Sequence, residues 1–501
     1  MEFFPRPSII FKTLRQLGLR SLSLYALYRV GLKSGHYQRM TQDKGQELAL
    51  NPRSLVLHLF DLPPREKLLA ILGHDGKASL HQEAGEILNG KFRMFGGGPV
   101  ELKLKGDWPL AHWTEYETGR IKLDGDLKFI WEPARFGWAF TLGRAYQTTR
   151  EPKYAEAFWT YFEAFDQANP ANLGPHWMNG QEVAIRLLAP VWAAQVFGTA
   201  PSSSPARRGE RLAHSIAEHA QRIPPTLVYA RSQNNNHLVT EAAALFTANH
   251  SPPDHPQAPR WRTLGWTWLN RALREQIGSY GEYIQHSAKY HRLMLQAVLW
   301  VDAIIRTAGR SHGYQLLWPA QTLEALTRAS HWLFSMIDSA SGRTPNLGAN
   351  DGALILPLSA TPFNDFRPTA QTAARAFLRN GLPAGAPDRK LETERGRQGP
   401  GHGSRDRRDD VTSAWNRLDQ PLVLQQGEPF PNRRLAHAKS LRELFLVQHR
   451  AGLELPRQDR VAQDADGLTP ERITSVALEP LDRIPHCLPS VDRSCPHGWP
   501  E

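Results

Sequence analysis

A chain of 501 residues, 41% hydrophobic and 22% charged, has ordinary globular composition and length for two to four domains, which excludes a fibrous or wholly disordered protein. Its net charge of +11 points to an acidic partner, but the excess lies in the tryptophan-rich body and no run of five or six like charges occurs, which argues against nucleic acid. Cys487 and Cys495 cannot staple a chain this size, no stretch of about 18 apolar residues exists, and Arg15, Arg20 and Arg29 interrupt the first segment. Neither a transmembrane helix nor a secretory signal peptide is therefore expected.

Taken in chain order, residues 1–90 read as a basic helical segment followed by a linker. The stretch 8–32 is expected to pack on the body, with a membrane surface as the alternative. Gly96-Gly97-Gly98-Pro99 marks a sharp turn before a strand-like Val100–Leu104. Helical periodicity then predicts Glu132–Thr148, Tyr154–Gln167, Gly180–Phe197, Arg208–Gln221, His237–Thr247, Trp261–Ile277, Ser287–Thr307, Gln321–Ile337 and Thr369–Leu378. Helix after helix, with Pro and Gly clusters between, predicts an all-α body over 91–385, and serial helix pairs of this length suit an α/α toroid or a solenoid. No strict repeat period supports a tetratricopeptide or HEAT array. From 386 to 501 the pattern is lost. Residues 392–410 are rich in Gly, Arg and Asp, no Tyr follows Tyr314, and the alternation of a β-sandwich is missing. This tail is expected to be irregular, either as a natural disordered segment or as an out-of-frame reading.

Four clusters offer chemistry. Trp131-Glu132-Pro133-Ala134-Arg135 opens a predicted helix, where the dipole favours Glu and a Trp acts as a hydrophobic staple or a platform for a sugar. In His176–Arg186, Glu182 and Arg186 stand four apart in the order that favours an ion pair, as a surface pair or as a groove wall. Asn234, Asn235, Asn236 and His237 precede an apolar helical run that holds Glu241. One cap needs one Asn, so the extra amides and the imidazole suggest a ligand. Gly281–His291 opens a long helix, with His286 and Tyr290 four apart and expected to share a face. His291 lies beside them, and core packing and function are equally open for this group.

No zinc-type spacing, phosphate-cradling glycine loop or Gly-x-Ser-x-Gly occurs, so no metal and no cofactor are expected. The clusters do hold the parts needed to break a uronic acid's 4-O bond by elimination. Amides can neutralise the carboxylate, and Tyr and His can exchange protons. Hydrolysis would instead need two carboxylates facing across a groove. Glu132, Glu182, Glu241 and Glu282 keep an α/α-barrel glycoside hydrolase as an alternative.

At these residues the sequence resembles the heparinase II/III family of polysaccharide lyases, which includes alginate lyases. The matching elements are Asn235-Asn236-His237-Leu238 with Glu241, and Gly281 through Ser287-Ala288-Lys289-Tyr290-His291. Trp131-Glu132-x-x-Arg135, Glu182-x-x-x-Arg186 and Pro345-Asn346-x-Gly348-x-Asn350-Asp351-Gly352 support them. The resemblance covers roughly residues 10–380 and implies an incomplete α/α toroid, then an antiparallel β-sandwich, with an acidic polysaccharide between them. It implies that Asn236 neutralises the carboxylate beside His237, and that Tyr290 is the Brønsted acid, with Tyr290 as base too on one sugar face. Asn235, Glu182, Arg186, Trp131, Arg135, His286 and His291 would shape or contact the cleft. It also implies a cell-envelope or periplasmic location, with the cytoplasm left open because no signal peptide is expected, and it leaves oligomeric state open. Family members draw a further catalytic His from the sandwich, which the tail does not show. The chain as given is thus expected to be a weak lyase, or a glycan-binding remnant.

Overall fold

The computed structural model describes residues 7–42, 59–198, 200, 205–250, 254–312, 316–349 and 354–378. The tail expected from 386, with both cysteines, and the Asn350-Asp351-Gly352 end of the fifth motif lie outside the described residues.

The described residues are mostly helical. Helices α1 (Pro7–Lys33), α2 (His36–Gln42) and α3 (Arg65–Leu88) come first. A hairpin of β1 (Lys91–Arg93) and β2 (Pro99–Glu101) turns at the predicted glycines. Then follow α4 (Trp113–Glu117), α5 (Leu127–Ala134), α6 (Gly137–Thr149), α7 (Pro152–Ala168), a 3-10 turn at Pro175–Trp177, α8 (Gly180–Phe197), α9 (Pro205–Gln233), α10 (Asn236–Ala248), α11 (Ala258–Gln276), α12 (Ala288–His312), α13 (Ala320–Met336) and α14 (Arg367–Phe377).

Burial divides these helices into two layers. In α8 and α10 nearly every residue is buried, so these helices are covered on every side. In α7, α11 and α13 burial is confined to one stripe, so one face meets the inner layer and the other meets water. Contacts follow the same division: α6 packs on α8, α8 on α10, α10 on α12 and α12 on α14, while α7, α9, α11 and α13 lie against them. This alternation is the toroid-like array. The segment after residue 353 bridges α12 back to α6: Gln296 bonds the backbone of Ile355 and Leu356, and Arg144 Nη1 donates to Ser359 O at 3.0 Å.

The layers sit close. A Cβ on Gly265 of α11 would lie 2.5 Å from Phe246 N and 2.7 Å from Ala242 O of α10. Both obstacles are backbone, so only translation of a helix could relieve the clash. Gly265→Ala is expected to cost about 1–3 kcal/mol, read as a lower urea midpoint with the slope unchanged; an unchanged midpoint would contradict the packing described.

At the other end of the inner helices, Phe60 acts as a wedge. Gln195 Oε1 accepts from Phe60 N at 3.1 Å, Gln195 Nε2 donates to Phe60 O, and the Phe60 ring meets Trp300 edge-on at 4.5 Å. Arg144, Gln147 and Trp192, near the C-terminal ends of α6 and α8, line the same hollow.

Two expectations need correction. The predicted helix Glu132–Thr148 is two helices, because Phe136 adopts a left-handed φ of 60° and breaks the run. Residues 65–88, expected as linker, form α3, whose Leu68, Leu72, Leu80, Ala84 and Ile87 are buried.

Candidate functional site

The inner helices start at a shared end, and all four clusters found in the sequence lie there. Arg135, just before α6, donates through Nε and Nη2 to both oxygens of Glu182 in the first turn of α8, at 2.6 and 2.7 Å. Arg135 Nη1 also reaches Glu132 at 2.8 Å. Trp131 Nε1 donates to Pro175 O at 3.1 Å, which ties α5 to the turn before α8. A Cβ on Gly180 would stand 2.7 Å from Glu241 Oε1, so the start of α8 touches α10. Asn236 N donates to Gln285 Oε1 at 3.1 Å, joining α10 to the loop before α12. Ser287 Oγ donates to Ala349 O at 2.8 Å and accepts from Tyr290 N at 3.2 Å, which fixes the mouth of α12. Helix N-termini carry partial positive charge and unpaired N–H groups, so this rim favours an anion.

At α10 the predicted cap is present: the Asn235 side chain accepts from His237 N at 3.0 Å. Asn236 is the spare amide. It is only 3% exposed, yet its side chain makes no hydrogen bond with another described residue. Neither of its amide atoms is sealed from solvent, so the group is open to a ligand or water. The His237 ring stands edge-on to Tyr229 at 6.2 Å.

Other candidates act at one remove. Arg186 does not pair with Glu182 as the spacing suggested, because Arg135 occupies both carboxylate oxygens. It is fully buried, donating to His219 Nε2 at 2.7 Å and to His176 O at 2.8 Å. His291 is likewise buried, stacked on Trp332 at 4.6 Å with Nε2 beside Ala329 O at 3.0 Å. Neither presents a surface to a ligand, so any part they take is through the residues they hold. His286 is exposed, but it precedes α12 and has a left-handed φ of 49°. The predicted shared face with Tyr290 therefore does not form, since helical spacing does not apply there.

Behind His237 lies a wall that the sequence reading missed. Tyr28 of α1 hydrogen-bonds Glu117 of α4 and packs on Tyr229 of α9 at 4.6 Å. Arg222 sits 3.8 Å over the Trp113 ring and donates to Trp177 O and Met178 O. No local pattern links these residues; α1, α4 and α9 bring them together.

Electrostatics sharpen the picture. Burial pushes the Glu241 carboxyl up to about 8, against the opposing pull of Arg222. Burial lowers Arg222 only to about 10, so it stays charged. At neutral pH Glu241 of α10 is therefore a neutral carboxyl near the charged Arg222, and Glu182 is paired with Arg135.

These shifts set a pH dependence. A carboxyl raised in the folded state stabilises fully below about 4.5, and that contribution is lost as pH rises through about 8. Burial lowers His291 and His112 to about 4, and it lowers His176 and His219 well below their usual value, helped by the charge of Arg186. A base lowered on folding stabilises above about 6.5 and loses that contribution as pH falls. Thermal stability is therefore expected to peak near pH 6 to 6.5. Glu241→Gln is expected to flatten the alkaline limb, which is worth on the order of a few kcal/mol. An alkaline limb unchanged in that variant would refute the assignment.

Among the described residues, no group of three or more His, Cys, Asp or Glu is placed to hold a metal ion, and no helix is long and apolar enough to cross a membrane.

Comparison with known proteins matches residues 108–369 to the family model described as Heparinase II/III N-terminus. The heparin-sulfate lyase of Bacteroides thetaiotaomicron is 24% identical over 186 residues, covering 34% of this chain and 26% of that enzyme. The heparin-sulfate lyase of Pedobacter heparinus is 26% identical over 171 residues, covering 33% and 25%. The crystal structure of a heparinase III matches 69% of this chain and 50% of its own, with 18% identity and a TM-score of 0.43. The matched part of the chain thus spans about a quarter of the length of the curated relatives.

Proposed function

We propose, for a chain that belongs to the heparinase II/III family through its N-terminal domain, that it is a polysaccharide lyase cutting a uronic-acid-containing polymer by β-elimination. The lyase-like domain is assigned to 91–385, which encloses the family match. The observation that carries the reading is the unspent Asn236 amide on a rim of helix starts, docked through Gln285 against the helix that bears Tyr290.

In this reading the Asn236 amide donates to the uronate carboxylate and draws charge away from it, with His237 alongside. That makes the C5 proton acidic enough to remove. Tyr290 takes the proton at C5 on one sugar face and supplies one to the departing O4. The C4–O4 bond breaks, and the electrons left at C5 form the C4–C5 double bond. Pre-set donors of this kind are worth more in a dry site than in water. The partial positive charge of the helix starts around Asn236 supports an anionic substrate. The curated relatives' names make heparin-type glycosaminoglycan the first polymer to try, and alginate the second.

The purified chain is incubated with each polymer while the ultraviolet absorbance of unsaturated uronate is followed. A rise that tracks new chain ends supports a lyase. New reducing ends without that absorbance would identify a hydrolase instead, and no new ends with any polymer would reject catalysis by this chain.

A further inference from the structure

Outside the rim, three arginines from different helices converge on one tryptophan and one glutamate. Arg231, in the last turn of α9, lies 4.2 Å over the Trp268 ring of α11, and Arg271 lies 5.4 Å over the same ring. Arg271 Nε donates to Glu275 at 2.6 Å, and Arg20 of α1 approaches the same carboxylate at 3.9 Å. Glu275 is thus shared by Arg271 and Arg20, and Arg231 adds a third guanidinium over the Trp268 ring. Arg231 Nε is buried and has no hydrogen-bond partner. Burial and its two arginine neighbours both work against its charge. A cation near a helix C-terminus is ordinary. Like charges gathered around an unpaired buried donor are not, because they repel and leave desolvation uncompensated.

The cluster lies beside the rim. Arg231 is two residues before Gln233, and Asn234 Oδ1 accepts from Gln276 Nε2 at 3.0 Å, which joins the ends of α9 and α11 directly before the Asn235 cap. A polymer seated at Asn236 and leaving towards the outer layer would cross these arginines.

We propose that Arg20, Arg231 and Arg271, with Trp268 between them, form an anion-binding subsite for an acidic sugar several residues from the scissile bond. The shared chemistry is a planar or tetrahedral oxyanion, carboxylate or sulfate, held by guanidinium groups, with the indole giving a flat apolar face. The proposal rests on the lyase reading for which molecule binds, but the binding itself is measured without turnover.

The test uses the full chain, isothermal titration, and two probes: a heparin octasaccharide and an oligouronate that lacks sulfate. Arg20→Gln/Arg271→Gln changes two partly exposed side chains, and melting checks that it folds. Arg93→Gln/Lys103→Gln, on the hairpin, removes the same net charge elsewhere. The expected result is at least tenfold weaker binding for the first variant, no change for the second, and tighter binding for Glu275→Gln. The slope of log affinity against log salt should also fall by on the order of one per arginine removed. Loss with both probes indicates general oxyanion recognition, and loss with heparin alone indicates sulfate. Equal binding by wild type and Arg20→Gln/Arg271→Gln overturns the proposal, as does equal weakening by the hairpin variant or no wild-type binding of either probe. Arginine-dependent binding with no unsaturated product from any polymer would reject the lyase reading and leave the subsite standing.

Discussion

Tyr290→Phe is expected to lower turnover by about 10²–10⁴-fold with little change in KM, because it deletes a proton carrier and leaves the ring in place. Tyr290 lies in the first turn of α12, and its backbone N–H donates to Ser287 Oγ, a bond that the substitution keeps, so the fold should survive. Asn236→Ala should lower turnover by about 10²–10³-fold, the usual cost of one pre-set donor to developing charge. Its side chain bonds no other described residue, so stability should change little or improve. Initial rates with circular dichroism as the folding check decide both. A Tyr290→Phe enzyme with wild-type turnover would remove Tyr290 from the mechanism.

The largest stability effect is expected from Arg135→Ala. Glu182 has a side chain only 4% exposed, and both its oxygens accept from Arg135. Removing one partner of a buried ion pair strands the other charge, at about 3–5 kcal/mol. The double change Arg135→Met/Glu182→Leu should recover much of that loss, because apolar groups of similar size require no pairing. Denaturant midpoints of the two variants decide it. A double variant no better than the single would show that Arg135 holds the rim through Glu132 instead.

Much of the helical body was legible. The predicted Gly180–Phe197 coincides with α8, because Asn179 caps its start and the run from Val183 on is largely apolar. The break at Phe136 was not legible, since a left-handed phenylalanine carries no glycine, proline or asparagine signal. Gly73, with a φ of 62°, hid α3 in the same way by interrupting its period. At the rim, the amides before α10 stood out because one cap could not use them all. Arg135 and Glu182 did not, because they are 47 residues apart and the nearer Arg186 satisfied the spacing rule. Local pattern reports what a helix can pair with itself, and this pair is made between helices. The wall of Tyr28, Glu117, Arg222 and Tyr229 escaped for the same reason.

The Phe60 wedge has a bearing on how the helices are held to one another. Gln195 of α8 grips its peptide, and Trp300 of α12 lies against its ring. A residue that belongs to no helix thus acts as a strut between two helices of the inner layer. Shortening that one side chain would loosen both of them at once, although the change lies more than a hundred residues from either in the chain.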